Sequence, residues 1–516
     1  MSNYVLLTGA TGLVGRYLMR DFLRQGKRFA VLVRPSRRQS ARERIESICQ
    51  MWEAETGSAL PRPVCLEGDV GQDGFGLSAR KRHWIEHHCD TLLHNAAVLE
   101  FHGSDRQGEP WQTNLEGTRR AVDLAQSLGV EHFHYVSTAY VCGRREGTVY
   151  EDELDVGQSF RNDYEHSKFL AEKLVRRAKF AHPPTIYRPV VIAGDSQTGY
   201  TNTYHGLYLY LRLMSMLMQN MPPDETGIRR VQMRLNLNGD ELRNVVPIDW
   251  VSQVICQLYD TPEAHGGTYH LAPQKPLTPR ETLDAAGNYL GSTGVEFCAQ
   301  EKIPVEQMNE LEKIVYESIS IYNSYDTTDP RFDTTNLLKY TADIPCPTID
   351  ESMLHRYLRF GEEDRWGKRR TAPVEVPCWI EELLAPTAAT AGCNGSASPS
   401  MCTIGLDILG PGGGQWHLIR GENGQLTIED GLPPTNNPVL RIASQELIDL
   451  IRSRRCCAAA LVRRVQPLDH NVPASDALKI ASNLFSAAER AAVSVDLFSN
   501  GLRQPSQAPH VAATES

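Results

Sequence analysis

Tyr4-Val5-Leu6-Leu7-Thr8-Gly9-Ala10-Thr11-Gly12-Leu13-Val14-Gly15 reads as an apolar strand, a glycine turn and the opening of a helix. In that context the glycines suggest phosphate binding. The first permits a tight turn, the second lets a pyrophosphate approach the backbone, and the third lets helix and strand pack closely. The helix N-terminus adds unpaired N–H groups for the anion. Thr8, Gly9, Thr11, Gly12, Leu13, Val14 and Gly15 are thus candidate cofactor contacts, with a plain strand-to-helix turn as the alternative.

Outward from this stretch, short Val/Ile/Leu-rich runs alternate with amphipathic stretches as far as about Tyr187. Strands are predicted at Tyr4–Thr8, Phe29–Val33, Pro63–Leu66, Thr91–His94, His132–Val136 and Thr185–Tyr187. Helices are predicted to open near Gly12, Ser40, Ser78, Trp111 and Arg161. The rhythm is that of an α/β fold with a doubly wound parallel sheet. After Pro189 the pattern becomes mixed, with strand-like pieces at Val245–Trp250 and Thr268–Leu271, where a substrate subdomain is expected. Gly206 to Met221 predicts an amphipathic helix whose Leu, Tyr and Met residues form core or wall an oily channel. Ala385 to Ser400 has the composition of a linker.

The 516 residues, 41% hydrophobic and 22% charged, are those of a multidomain globular chain, and a net charge of −10 argues against a general nucleic-acid binder. A strand starting at Tyr4 leaves no room for a signal peptide, and no run reaches the roughly 18 apolar residues of a membrane span, so a cytoplasmic protein is expected. The 12 cysteines show no Cys-x-x-Cys pair, so free thiols and no metal site are expected. The runs Lys368-Arg369-Arg370 and Arg452-Ser453-Arg454-Arg455 read as solvated faces, and Cys456-Cys457 as buried thiols.

Tyr164 and Lys168 stand four apart on a predicted helix and so share a face, where a Lys ammonium could favour the ionised phenol. This is the pattern of a hydride-transfer enzyme with a Tyr proton donor. After the second strand, Val33-Arg34-Pro35-Ser36-Arg37-Arg38 places cations where a cofactor lacking the 2′-phosphate would meet Asp or Glu, which favours NADPH. Arg34 is the first candidate for that phosphate, with Ser36, Arg37 and Arg44 as helpers. Asp69 and Val70 follow the third strand, where adenine would lie. Asn95-Ala96-Ala97 ends the fourth, where small residues let a cofactor lie close. Ser137-Thr138 ends the fifth, and Thr138 is the first choice, Ser137 the second, for a hydroxyl sharing the substrate oxygen with Tyr164. Asn114 is a candidate for holding water or backbone behind Lys168, with helix packing as the alternative.

Gly9-x-x-Gly12-x-x-Gly15, Asn95-Ala96-Ala97, Thr138, Tyr164-x-x-x-Lys168 and Arg188-Pro189 resemble an extended short-chain dehydrogenase/reductase, over roughly residues 4 to 280. Leu32-Val33-Arg34 with Arg44, Tyr187 to Gly199, Val246-Pro247-Ile248-Asp249 and Tyr325 to Asn336 resemble the thioester reductase and fatty acyl-CoA reductase branch, extending the likeness to about residue 370. Gly414 to Leu418, Gly424 to Gly431, Pro438 to Ile442 and Ser444 to Leu450 are similar to a sterol carrier protein 2-like domain. Gly412-Gly413-Gly414 lacks the Lys-Ser/Thr ending of a P-loop and reads as a turn.

These resemblances imply a Rossmann domain over residues 1–370, with its substrate subdomain mainly in 195–250 and 270–370. A connecting segment and linker (371–400), a separate α+β domain (401–500) and a polar, disordered tail (501–516) follow. They imply NADPH-dependent reduction of an acyl thioester, on coenzyme A or on a separate acyl or peptidyl carrier protein, to an aldehyde or on to an alcohol. A lipid ligand is implied for the C-terminal domain. The competing readings are a dehydrogenase or epimerase acting on a sugar nucleotide, steroid or other ketone, and a non-catalytic NADP-sensing or lipid-carrying protein.

Overall fold

The computed structural model describes residues 4–103, 105–219, 221–299, 302–325, 327–369, 374–388, 402–420, 426–434, 437–453, 481, 484 and 485. The chain forms two compact units, one of residues 3–44 and 65–372, the other of residues 1–2, 45–64 and 373–516.

The first unit is built on a parallel sheet of β1 (Tyr4–Thr8), β2 (Phe29–Val33), β3 (Val64–Glu67), β4 (Cys89–His94), β5 (His132–Val136), β6 (Thr185–Pro189) and β7 (Thr268–Leu271), in the order β7-β6-β5-β4-β1-β2-β3. β1, β2, β6 and β7 are buried along their whole length. That is why they read as continuous apolar runs: crossover helices cover both faces of such a sheet. The strand order reverses between β1 and β4, so a crevice opens beyond their C-terminal ends.

The doubly wound sheet follows the sequence rhythm, with two differences. Thr268–Leu271 lies beside β6 as the seventh strand instead of contributing to a substrate subdomain. Val245–Pro247 pairs with Val191–Ala193, but Ile248-Asp249-Trp250 opens a helix that runs to Asp260. From there Trp250, Val251, Val254, Ile255 and Leu258 recur at helical spacing and are all buried.

The rest of this unit contains the helix Leu207–Gln219, the paired strands Arg229–Leu235 and Ser292–Phe297, and the helix Glu310–Ile319. Their apolar faces meet around Met218, Val231, Met233 and Val315. The expected helix at 206–221 is thus present, and it serves two surfaces: Leu207, Tyr208 and Leu211 are core, while Leu213, Met214 and Leu217 line a cavity.

In the second unit Cys402–Leu409, Gly414–Arg420 and Leu426–Asp430 pair antiparallel, and Val439–Ala443 joins Cys402–Leu409 in parallel before the helix Ser444–Arg452. Gly412, at φ +75°, lies in the hairpin turn read from the glycine run. Ile404, Leu406, Ile408, Leu440, Leu447 and Ile448 form its core. A helix, Ile380–Ala388, runs into the segment expected to be linker. Residues 389–401, Cys456-Cys457 and the tail lie outside the described residues.

A buried ionic knot joins the sheet to the helix Asp163–Arg177, which bears Tyr164 and Lys168. Glu172 Oε1 meets Arg188 Nη2 of β6 at 2.7 Å and Arg176 Nε at 2.9 Å, and Oε2 accepts the Ser137 hydroxyl at 2.6 Å. Glu172 and Arg188 are 0% and 1% exposed. Burial works against the Glu172 carboxylate, but Arg188 overcomes it and holds the group down to about 2. Removing one member of such a pair strands the other charge. Glu172→Gln is therefore expected to cost about 3–5 kcal/mol of unfolding free energy by denaturant titration, whereas Ser137→Ala, which leaves the ion pair, costs about 1 kcal/mol.

Candidate active site

The three glycines of the opening turn have separate physical jobs. Gly9 has φ +72°, and a Cβ there would lie 2.8 Å from the Ala96 nitrogen. A Cβ on Gly15 would lie 2.1 Å from the Gly9 oxygen. At Gly12 the nearest neighbour would be 3.5 Å away, so this residue leaves open space before the helix Leu13–Arg24. Gly12 is the N-cap and supplies no side-chain hydrogen bond to the first turn, so those N–H groups face outward for an anion.

Thr8 is fully buried behind the turn. Its oxygen accepts from Asn95 and Ala96 N–H at 3.1 Å each and lies 2.8 Å from His94 Nδ1. The Thr8 proton therefore goes to Nδ1, and Nε2–H donates to Thr118 Oγ1 at 3.1 Å. Burial, with the Lys168 charge, holds His94 down to about 3, so it is neutral. Asn114, also buried, donates to the Val98 carbonyl at 3.1 Å and to Ser167 Oγ at 3.2 Å, and accepts from Val98 N–H at 2.9 Å. It ties the loop after β4 to the Tyr164 helix. Thr8, Gly15 and Asn114 thus stand behind the surface and shape it.

The surface itself belongs to one cavity of about 1110 Å³. Gly9, Thr11, Gly12, Leu13 and Val14 line it beside the turn; Asn95, Ala96 and Ala97 line it after β4; Asp69 and Val70 line it after β3. Arg34 and Arg44 lie at the same end. Arg44 donates to the Arg34 carbonyl at 2.6 Å and to Thr11 Oγ1 at 3.1 Å, and Arg16 donates to the Thr11 carbonyl at 3.0 Å. Burial, then the charges of Arg34 and Arg16, lower the Arg44 pKa. The Arg44 and Arg16 guanidinium groups meet at Thr11, while Arg34 Nη1 lies 3.6 Å from Asp69 Oδ2; the cluster of cations suits an anion. Ser36 instead accepts from Gln39 N–H at 3.0 Å and closes its own loop, and Arg37 and Arg38 are exposed.

Thr138, Tyr164 and Lys168 meet on the opposite wall. Thr138 Oγ1 accepts from Tyr140 N–H and donates to the Pro189 carbonyl, both at 3.3 Å. Burial pushes the Tyr164 phenol up to about 12, opposed by the Thr138 hydroxyl. Lys168 Nζ donates to the Val136 carbonyl at 2.8 Å, and burial brings it down to about 7. Desolvation thus outweighs the ionising effect expected of Lys168, and Tyr164 is a neutral phenol with a proton to give. Ser137 gives its hydroxyl to Glu172, which leaves Thr138 as the hydroxyl beside Tyr164.

The same cavity is lined by Phe101, Tyr140, Tyr325 and Asp329 and by the apolar Leu213, Met214, Leu217, Met233, Leu235, Val315 and Ile319. Tyr140 donates to Asp329 Oδ2 at 3.0 Å. Leu213, Met214 and Leu217 lie in the stretch read as core or as the wall of an oily channel, whereas sequence reading assigned no role to Phe101, Tyr140, Asp329 or Glu172. Glu172 had a signal, since it lies one further helical turn along the face of Tyr164 and Lys168; Asp329, far along the chain from Thr138, had none.

Comparison with known proteins agrees with this geometry. Residues 7–255 match the family described as Male sterility protein. The fold is Rossmann-like and resembles that of solved reductase domains. Nonribosomal peptide synthetase asaC of Aspergillus flavus is 26% identical over 317 residues, covering 58% of this chain and 28% of that protein. Aldehyde reductase lnaA of the same organism is 26% identical over 395 residues, covering 69% of this chain and 36% of that protein. The chain therefore spans little more than a third, or less, of these curated relatives. The crystal structure of the terminal R domain from the myxalamid PKS-NRPS biosynthetic pathway superposes with a TM-score of 0.57 and 26% identity, covering 72% of this chain and 93% of that one.

The glycines give a test that separates folding from binding. Gly12→Ala is expected to leave the melting temperature within about 1–2 °C of wild type, since its methyl has room, and to weaken dinucleotide binding at least about tenfold by filling the anion's approach. Gly15→Ala is expected to lower the melting temperature by several degrees, because its methyl would overlap the Gly9 carbonyl.

Proposed function

We propose that this chain is an NADPH-dependent reductase of acyl thioesters carrying an oily acyl group, held on coenzyme A or on a separate carrier protein. The observation that carries the reading is the continuity of one cavity, from a glycine turn and arginine cluster, past Thr138 and Tyr164, into an apolar chamber. Arg234, Asn236, Arg243 and Glu312 also line the cavity, but Leu213, Met214, Leu217, Met233 and Ile319 offer an acyl chain dispersion and burial that a sugar ring would not use.

The residues fit the cofactor: open space at Gly12, an uncapped helix end and the cavity-lining Arg34 and Arg44 match a pyrophosphate and a 2′-phosphate. Bound NADPH supplies hydride to the thioester carbonyl carbon. Tyr164 and Thr138 hold the carbonyl oxygen as it gains negative charge, and Tyr164 donates the proton. Collapse of the resulting tetrahedral hemithioacetal expels the thiol and leaves an aldehyde; a second reduction would yield the alcohol. Lys168, held between the Val136 carbonyl and the cavity, supports the nicotinamide ribose. The C-terminal sheet, expected to be sterol carrier protein 2-like, would serve the same oily substrate.

The test is a panel of acyl thioesters, ketones and sugar nucleotides with NADPH, following cofactor oxidation and thiol release together. Stoichiometric thiol release with long-chain acyl donors is expected; turnover of ketones or sugar nucleotides without any thiol release would overturn the reading. Tyr164→Phe is expected to keep NADPH binding and to lose about 10²–10⁴-fold in turnover. Arg34→Asp is expected to weaken NADPH by about tenfold or more while leaving NADH nearly unchanged, measured by fluorescence titration of both cofactors.

A further inference from the structure

Lys168 has an unusual setting. It is 1% exposed, its ammonium has the Val136 carbonyl as its described hydrogen-bond partner, and among the described residues no carboxylate lies in salt-bridge contact. The face of the Tyr135 ring lies 4.4 Å from Nζ. Tyr135, on β5, is itself fully buried, and its ring is stacked near-parallel with His94 at 5.8 Å and 13°. Its phenol faces the Thr118 hydroxyl, a contact that Tyr135→Phe removes while keeping the ring. Thr118 gives its own proton to the Asn114 carbonyl at 2.6 Å, so toward Tyr135 it can only accept.

We infer that Tyr135 is a positioning residue whose ring face seats the Lys168 ammonium and, with the field of the more distant Glu172 carboxylate, keeps it charged. The inference rests on the reading of Tyr164 and Lys168 as the reductase pair. A cation over an aromatic face is attracted by the ring quadrupole, and the attraction is strongest where water is excluded. A carboxylate in that position would hold the ammonium more tightly but would also compete for it with the ribose hydroxyls and repel the cofactor phosphates; an aromatic face adds no formal charge.

The other titratable groups around Lys168 keep a constant charge across ordinary pH. On its own helix, Glu172 is held down to about 2 and stays anionic, while burial pushes Tyr164 up to about 12 and it stays neutral. On β4, burial holds His94 down to about 3, again neutral. On β5, burial raises Tyr135, neutral as well. Lys168 is left as the group among these that changes charge between about pH 5 and 9. Its cationic form dominates below about pH 7 and is lost as pH rises through that value. Cofactor binding should therefore weaken above neutrality, with a midpoint set partly by the Tyr135 ring.

The experiment is NADPH titration of the full chain by nicotinamide fluorescence from about pH 5.5 to 9, with kcat/KM profiles measured in parallel. Tyr135→Leu is expected to move the midpoint of the alkaline limb down by about one pH unit. Tyr135→Phe, which keeps the ring, is expected to restore the wild-type midpoint, and Lys168→Met to abolish the limb. A series of increasingly fluorinated phenylalanines in place of Tyr135 preserves the shape while draining the ring's negative face, so it guards against misfolding of the Leu variant; the midpoint is expected to fall stepwise. An unchanged midpoint across the fluorinated series, or an equal shift for Phe and Leu, overturns the inference. Cofactor titration needs no acyl donor, so failure of thioester reduction would remove the proposed substrate and leave this result readable.

Discussion

The carboxylate of Glu172 is the point on which the active site depends. It is the group through which the Tyr164 helix, the end of β5 and the strand β6 are joined, because it binds Arg176 on its own helix, Ser137 after β5 and Arg188 within β6. A buried charge is costly alone and tolerable when fully partnered. The cost enforces geometry: only one placement of the helix satisfies all these bonds, and that placement sets Tyr164 and Lys168 beside Thr138. Arg188 makes a second demand, donating also to the Glu151 and Glu153 carbonyls, and so fixes the loop after Val149.

Around this anchor the site uses polar groups in two ways. Some are spent on architecture and are silent toward a ligand: Thr8, His94, Thr118 and Asn114 form a chain of hydrogen bonds that clamps the ends of β1 and β4. Others are left facing the cavity, as the Tyr164 phenol is. Burial decides their protonation, keeping Tyr164 neutral and bringing Lys168 close to neutrality. A phenol that stays protonated and a lysine brought close to neutrality follow from desolvation more than from their effect on each other.

The fold was largely legible because its physics is local. Tyr4–Thr8, Phe29–Val33 and His132–Val136 are strands at the predicted residues, since short apolar runs between turn signals have few other ways to bury themselves. Thr268–Leu271 was read as a strand but not as part of the main sheet, because strand pairing across the long interval from Pro189 to Thr268 leaves no mark in periodicity. Ile248-Asp249-Trp250 illustrates the opposite failure. So short a segment carries too little pattern to separate strand from helix; only the helical recurrence of Val251, Val254 and Leu258 beyond it does so.

The sequence by itself determined the glycine turn, the Tyr164 and Lys168 pair, the arginines after β2 and the doubly wound order of elements, all of which depend on spacing within one strand, turn or helix. Only the tertiary structure decided which of these residues face the cavity and which support it: Gly12 is open where Gly15 is packed, Thr138 faces Tyr164 where Ser137 is bound to Glu172. It also joined the cofactor groove to an apolar chamber whose residues, from Leu213 to Ile319, lie far along the chain from the turn. The reason is that exposure, desolvation and charge pairing are properties of neighbours in space, and a linear pattern carries them only when those neighbours are also close along the chain.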